Sequence, residues 1–315
     1  SDDSCEMMKT KFPHIKLIEN QDNLGFPKGN NIGVAQAKGE YICILNPDTV
    51  VAEDAFSKIL NTKNWQLNTG IIGCKLIDGA GNFLPESKRG VPTPWVAFTK
   101  IFGLYKISNY FGKYYAQHLS ENESGTVDIL VGAFMVMKRE LYIKVGGFDE
   151  NCFMYSDDID LSYLVMKTGK SNYYYHETSV IHYKGESTVR DGTYMKRFRE
   201  AMQFFYKKHF KKSWFFDVMM QAGSVVFSLL KKNQQKNEVR NIDEYIVFTK
   251  ENLKLELSKK TTYLSDFNHF EYQLQKNIEI IFDTTSFSFT EIITFMQLNK
   301  TKNISFKNYI LSSNY

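Results

Sequence analysis

The stretch "GEYICILNPDT", Gly39–Thr49, decides the fold. Tyr41–Leu45 is an uncharged apolar run that stops at Pro47. A run apolar on both faces reads as a central parallel strand. Pro47 ends ladder pairing and leaves Asp48 projecting from the strand's C-terminal edge, where α/β folds bind ligands. A carboxylate there suits a hard divalent cation bridging phosphates. It equally suits a turn acid capping the next helix.

Elements alternate on both sides of this run. Upstream, a helix over Cys5–Lys11 leads through Pro13 to an expected strand at "IKLIEN", Ile15–Asn20. The glycine- and asparagine-rich loop "NLGFPKGNNIG", Asn23–Gly33, then opens a helix expected over Asn30–Ala37, with Gly39 past its end. Downstream, "AEDAFSKILNTK" reads as an amphipathic helix and "GIIGCKLID" as a strand. Strands alternating with helices give an α/β layered class.

Composition sets the outer limits. With 43% hydrophobic and 23% charged residues, the 315-residue chain can bury a sizeable core in one large or two medium domains. A net charge of +4 gives no ground for a nucleic-acid partner. The four scattered cysteines, none in a C-x-x-C pair, read as reduced thiols of a cytoplasmic protein. From Lys196 the texture turns basic and aromatic. The apolar stretch Trp214–Leu230, at the short limit for a span, reads as a helix at a membrane surface in preference to a packed or crossing one. "KKNQQKNEVRN" reads as a linker, and 236–315 as a partial second α/β region with "IEIIFDTT" as a strand.

Three further stretches carry chemistry-bearing residues. The two close glycines of Asn23–Gly33 let backbone approach an anionic ligand at a helix start, or form a plain connecting loop. In "FMYSDDIDLS", Phe153–Ser162, a helix beginning at Asp157 with Ser156 as N-cap puts Asp157 and Asp158 on the apolar stripe of Leu161, Leu164 and Val165. Asp160 falls on the wetter side. Acids at a helix start are either cap-stabilising or a base kept ionised for proton abstraction. His182, after Val180–Ile181 in "VIHYKGEST", is either a structural histidine or a ligand at a strand end.

The order of "NLGFPKGNNIG", "GEYICILNPDT", "LVGAFMVMKRELYIKVGGFDE", "FMYSDDIDLS" and "IHYKGEST" resembles the family 2 glycosyltransferases, in particular their bacterial rhamnosyltransferase-like branch. The resemblance covers about residues 1–195, with similarity in the basic tail to about 235. It implies a GT-A fold: a nucleotide-sugar domain with a central mostly parallel sheet and flanking helices. It further implies an inverting transferase that moves a sugar from a nucleotide-diphosphate sugar to a saccharide or lipid-linked acceptor in bacterial surface polysaccharide synthesis. Asp48 matches the metal-holding acid for Mg²⁺ or Mn²⁺, and His182 a metal or phosphate ligand. Asp158 matches the base and Asp157 its neighbour at the acceptor. Asn46 stands where the family often has a first acid, and would hydrogen-bond the donor. Asn23, Gly25, Phe26, Asn30 and Asn31 match the loop near nucleotide and sugar, and Gly132 and Ala133 the segment bordering donor sugar and acceptor.

The family begins with a strand, helix and strand that hold the nucleotide base. Here only "SDDS", with Asp2 matching its last acid, corresponds to the end of that unit. The expectation is a longer parent with roughly 35–45 further N-terminal residues, and a chain that is inactive or unstable as it stands. The expected division is thus 1–195 as the GT-A domain without its first β-α-β unit, 196–235 as basic aromatic helices in peripheral membrane contact, and 236–315 as the partial α/β region. The rival classes are a nucleotidyltransferase-like protein, for which no G-x-G-T-R-like loop is found, and a non-catalytic sugar-binding protein.

Overall fold

A computed structural model describes residues 3–61, 65, 68–93, 95–96, 99, 103–152, 156–183, 192–210, 241–271 and 276–309, the side chains of 109, 192–199 and 309 excepted. The helices are α1 (Ser4–Lys11), α2 (Gly25–Gln36), α3 (Ala55–Asn61), α4 (Arg139–Lys144), α5 (Asp157–Lys167), α6 (Gly192–His209) and α7 (Phe289–Leu298). The strands of the first part are β1 (Tyr41–Leu45), β2 (Thr49–Val51), β3 (Thr69–Ile77), β4 (Lys88–Arg89), β5 (Gly125–Val127), β6 (Ile129–Leu130), β7 (Phe134–Lys138) and β8 (Ser171–His182). The later region adds β9 (Glu244–Phe248), β10 (Lys260–Leu264), β11 (Ile278–Asp283) and β12 (Ile304–Tyr309).

The first sheet runs β1-β7-β3-β8-β2, with β5 also on β8. Successive side chains of a strand face opposite ways, and the two faces carry different cores. Ile42, Ile44, Ile71, Met135 and Met137 pack with Val34 of α2, Leu141 of α4 and Leu161 and Val165 of α5. Ile72, Phe134 and Val136 face the other way, with Ile59 of α3. The layered α/β class therefore holds. Strand direction differs from the expected mostly parallel sheet: β3–β8 is parallel, whereas β1–β7, β3–β7, β2–β8 and β5–β8 are antiparallel.

Three local readings change as well. β1 is an edge strand, not a central parallel one: Ile42 and Ile44 are buried, Tyr41 and Cys43 half-buried, and Leu45 is exposed. Its apolar run fills one face and half-covers the other. Ile15–Asn20 forms no strand, because no described strand pairs with it. The helix expected at Asn30 begins earlier, at Gly25, which takes φ +78°. Pro27 fits the first turn of α2, where a backbone N–H has no partner four residues back.

Residues 241–309 build a second sheet, β10-β9-β11-β12, parallel throughout. β11 is buried along its length, as a parallel sheet requires. Helix α7 covers it, starting at a capping box formed by Ser288 and Glu291. The core of this unit extends into the first part. Ile246, Phe248, Ile280, Ile292 and Met296 share a cluster with Ala52, Ile77 and Ile181.

The basic segment is described only as far as residue 210. There it is a packed helix: Met202, Phe205 and Tyr206 of α6 lie buried with Val91, Ile129 and Ile159. Residues 211–235, and with them Trp214–Leu230, lie outside the described residues. No helix among the described residues is long and apolar enough to cross a membrane.

Candidate active site

The turn after β1 is held by hydrogen bonds at Asn46, Asp48 and Thr49. Asn46 N–H donates to the Ala133 carbonyl at 3.1 Å, and the Thr49 hydroxyl donates to the Asn46 carbonyl at 2.7 Å. Pro47 supplies no donor, so the chain turns and re-enters the sheet as β2, with Thr49 opposite His182. The Tyr183 N–H closes the arrangement on the Asp48 carbonyl at 3.0 Å. Asp48 Oδ1 then lies 3.3 Å from His182 Nε2, and Asn46 Nδ2 lies 3.5 Å from the same nitrogen. Three residues read from the sequence thus meet at one sheet edge. His182 is buried, while the Asp48 side chain is 42% exposed and reachable by a ligand.

A carboxylate beside an imidazole suits a divalent first-row cation. Among the described residues no group of three or more His, Cys, Asp or Glu side chains gathers to hold a metal. An ion held by this pair would need further oxygen ligands, such as a diphosphate supplies.

The second half of the site lies at the start of α5. Ser156 sits at the N-cap position, but its hydroxyl is 3.0 Å from the Cys152 Sγ and does not cap the helix. Asp157 and Asp158 are both buried, as the stripe predicts. Asp158 Oδ2 accepts from Arg89 Nη2 at 2.6 Å and from Gly132 N–H at 3.1 Å. Its Oδ1 takes no hydrogen bond from the described residues. Asp160 overturns its reading as the wetter acid. It is fully buried, because α6 packs over that side and brings His209 and Lys208 onto its carboxylate.

Gly132 and Ala133 join the two halves, since Ala133 receives Asn46 and Gly132 donates to Asp158. A Cβ on Gly132 would sit 3.4 Å from that of Asp158 and 3.6 Å from the Phe26 ring, so the gap between them is one methyl wide. Phe26 is the member of the Asn23–Gly33 loop that reaches this point. Asn23 Oδ1 accepts from Gly25 N–H, and Asn30 Nδ2 donates to the Phe26 carbonyl. Asn31 faces α4: its Oδ1 takes the Tyr142 hydroxyl at 2.6 Å and Phe148 N–H at 3.1 Å, and its Nδ2 donates to the Phe148 carbonyl. A cavity of about 450 Å³ runs along this loop and β1, lined by Gly25, Phe26, Asn30 and Ile44 among others.

Arg89 is the site residue that sequence reasoning missed. It is buried, on the two-residue strand β4 paired with β6. Burial alone would push its guanidinium down; Asp158 beside it outweighs that and holds it above the ordinary range. The sole signal in "ESKRG" is two adjacent bases before an aromatic, irregular stretch. Nothing local says that one of them pairs with an acid 69 positions away.

Residues 1–203 match a family model described as "Glycosyltransferase like family 2". The chain belongs to this family. The family 2 chain is 26% identical over 192 residues to an N-acetylglucosaminyl-diphospho-decaprenol L-rhamnosyltransferase of Mycobacterium tuberculosis, covering 58% of this chain and 62% of that protein. It is 28% identical over 171 residues to the rhamnosyltransferase WbbL of Escherichia coli K12, covering 50% of this chain and 61% of that one. It thus spans less than two thirds of the length of either relative. A solved structure of GalNAc-T7 with UDP, GalNAc and Mn²⁺ superposes with a TM-score of 0.45 at 17% identity, over 65% of this chain and 40% of that one.

Proposed function

We propose that this chain carries the nucleotide-sugar domain of an inverting glycosyltransferase that acts on a saccharide or lipid-linked acceptor in surface polysaccharide synthesis. The observation that carries the reading is the junction at Gly132–Ala133. One peptide segment binds both the Asn46–Asp48 turn and the Asp158 carboxylate. A donor diphosphate at the first and an acceptor hydroxyl at the second would meet across it. The names of the relatives support a lipid-linked acceptor, since one is a decaprenol-diphosphate rhamnosyltransferase.

Asp48 and His182 would hold a Mg²⁺ or Mn²⁺ ion together with the donor diphosphate. When bound, the ion supplies positive charge against the leaving nucleoside diphosphate. Asn46 hydrogen-bonds the donor from the same turn. Asn23, Gly25, Phe26, Asn30 and Asn31 border the nucleotide and sugar, and Gly132 and Ala133 line the sugar. Arg89 and the Gly132 N–H fix one oxygen of Asp158 and compensate its buried charge, leaving Oδ1 to accept the proton of the acceptor hydroxyl. That hydroxyl oxygen bonds to the anomeric carbon as the bond to diphosphate breaks on the opposite face. The products are the inverted glycoside and the nucleoside diphosphate. Asp157 shapes the acceptor side. The basic aromatic stretch 196–235 would contact a membrane carrying the acceptor lipid through its part beyond α6.

A donor screen with Mn²⁺ and with chelator tests the reading. Asp158→Asn is expected to lower turnover by ~10²–10⁴-fold with donor affinity kept. Asp48→Ala is expected to lose the metal-dependent part of donor binding. Undiminished turnover in Asp158→Asn rejects the base assignment. Liposome flotation with and without residues 211–235 tests the membrane contact.

A further inference from the structure

Residues 241–309 press on the two segments that carry Asp48 and His182. After β2 the chain passes through Ala52, Glu53 and Asp54 into α3. Glu53 turns its carboxylate onto the first turn of α7, accepting from Phe289 N–H at 2.7 Å, Thr290 N–H at 3.0 Å and the Thr290 hydroxyl at 3.1 Å. A helix start presents unpaired N–H groups and a partial positive charge, so an acid is the favoured occupant. Burial works against the ionised Glu53, yet these donors hold its carboxyl below the usual range. Asp54 Oδ1 lies 3.2 Å from the same Thr290 hydroxyl, whose one hydrogen the two carboxylates share.

The other segment is gripped separately. Asn308 of β12 donates through Nδ2 to the Tyr183 hydroxyl at 3.2 Å. Tyr183 follows His182, and its own N–H holds the Asp48 carbonyl. Beneath both contacts Ala52, Ile77 and Ile181 lie in the core of the second unit. Polar clamps at Glu53 and Tyr183, with an apolar floor between them, fix β2 and the end of β8 from behind.

From this we infer that the second α/β unit is a backing plate for the donor edge, and that Glu53 is a positioning residue for the Asp48–His182 pair. The metal part of this inference rests on the function proposed above. The coupling itself rests on the contacts alone. The ladder Thr49–His182 is short, and the Tyr183–Asp48 bond is its last rung. A three-residue strand has few bonds to resist local opening, so an external clamp decides how well it holds its side chains in register.

The test compares the full 315-residue protein with Glu53→Ala, Glu53→Gln and Asn308→Ala by amide exchange and by Mn²⁺ titration in the presence of inorganic diphosphate. In Glu53→Ala the Tyr183 amide is expected to exchange about fivefold faster or more, as typical coupling between linked sites allows. Amides at the centre of the first sheet, such as Ile72 and Val136, should be unchanged. Glu53→Gln keeps an acceptor oxygen without the charge and should fall between. Asn308→Ala should speed Tyr183 exchange through the other clamp, which keeps the test open should Glu53→Ala fold poorly. Mn²⁺ affinity is expected to weaken in step with exchange. Unchanged Tyr183 exchange in both alanine variants overturns the inference. Wild-type protein that takes up no Mn²⁺ overturns the metal assignment instead, and exchange then decides the coupling by itself.

Discussion

Arg89 and Asp158 form a buried ion pair at the centre of the candidate site, with side chains 10% and 12% exposed. Such a pair is a poor source of stability, because desolvation offsets most of the attraction. Removing one partner is a different matter, since it strands the other charge. Arg89→Met is therefore expected to destabilise the protein by about 3–5 kcal/mol, read from urea unfolding. The double variant Arg89→Met with Asp158→Asn should recover much of that loss. Recovery of stability without recovery of activity would place the pair in the chemistry. A double variant as unstable as the single would show that packing around Arg89, and not its charge, sets the cost.

At the scale of elements, α6 is bound to the start of α5 by a polar knot. Asp160, fully buried, meets His209 Nε2 and Lys208, and Lys208 also pairs with Asp149 at 2.6 Å. On its other side the His209 Nδ1 faces Lys167 Nζ at 3.1 Å. A lysine can only donate, so the network assigns His209 as neutral, donating to Asp160 and accepting from Lys167. Burial pushes the His209 imidazole down, and the two nearby lysines add to this against the pull of Asp160. The folded protein thus declines a proton that the unfolded chain accepts. The resulting stability is whole above the ordinary imidazole value of about 6.5 and is lost as pH falls through the lower folded value. Urea midpoints are expected to drop on acidification through that window, and His209→Gln should flatten the dependence. An equal slope in the variant would assign it to other groups.

Across the whole molecule, the second unit shares its apolar core with the first. Ile77 and Ile181 are wholly buried in a cluster made mostly by residues beyond 240, and a Cβ at Gly81 would strike the Met296 carbonyl at 2.5 Å. Units joined by a common core unfold together. Calorimetry of the 315-residue chain is therefore expected to show one cooperative transition, with Ile181→Ala lowering the whole of it. Two resolved transitions would show the units to be independent. The crevice between β9 and β11 lies where a doubly wound sheet would bind a ligand. Here the Thr249 and Ser286 hydroxyls close it on Asp283, at 2.7 and 2.6 Å.

The sequence by itself determined which segments become elements wherever period and punctuation agreed. The acidic helix from Asp157, the strand stopped by Pro47 and the buried strand Ile278–Asp283 are each set by neighbours within a few residues. It also held the five motifs in family order, and they meet in space: Asp48 lies beside His182, Asn46 on Ala133, and Asp158 and Phe26 beside Gly132. Apolar count did not reveal strand direction or edge position, because a run like Tyr41–Leu45 looks alike whether it has one partner or two. Tertiary structure alone decided that Arg89 would face Asp158, that Asp160 would be covered, and that Glu53 would dock on α7. Charges pair through space, and the separations of 69, 49 and 236 positions leave no trace in local pattern.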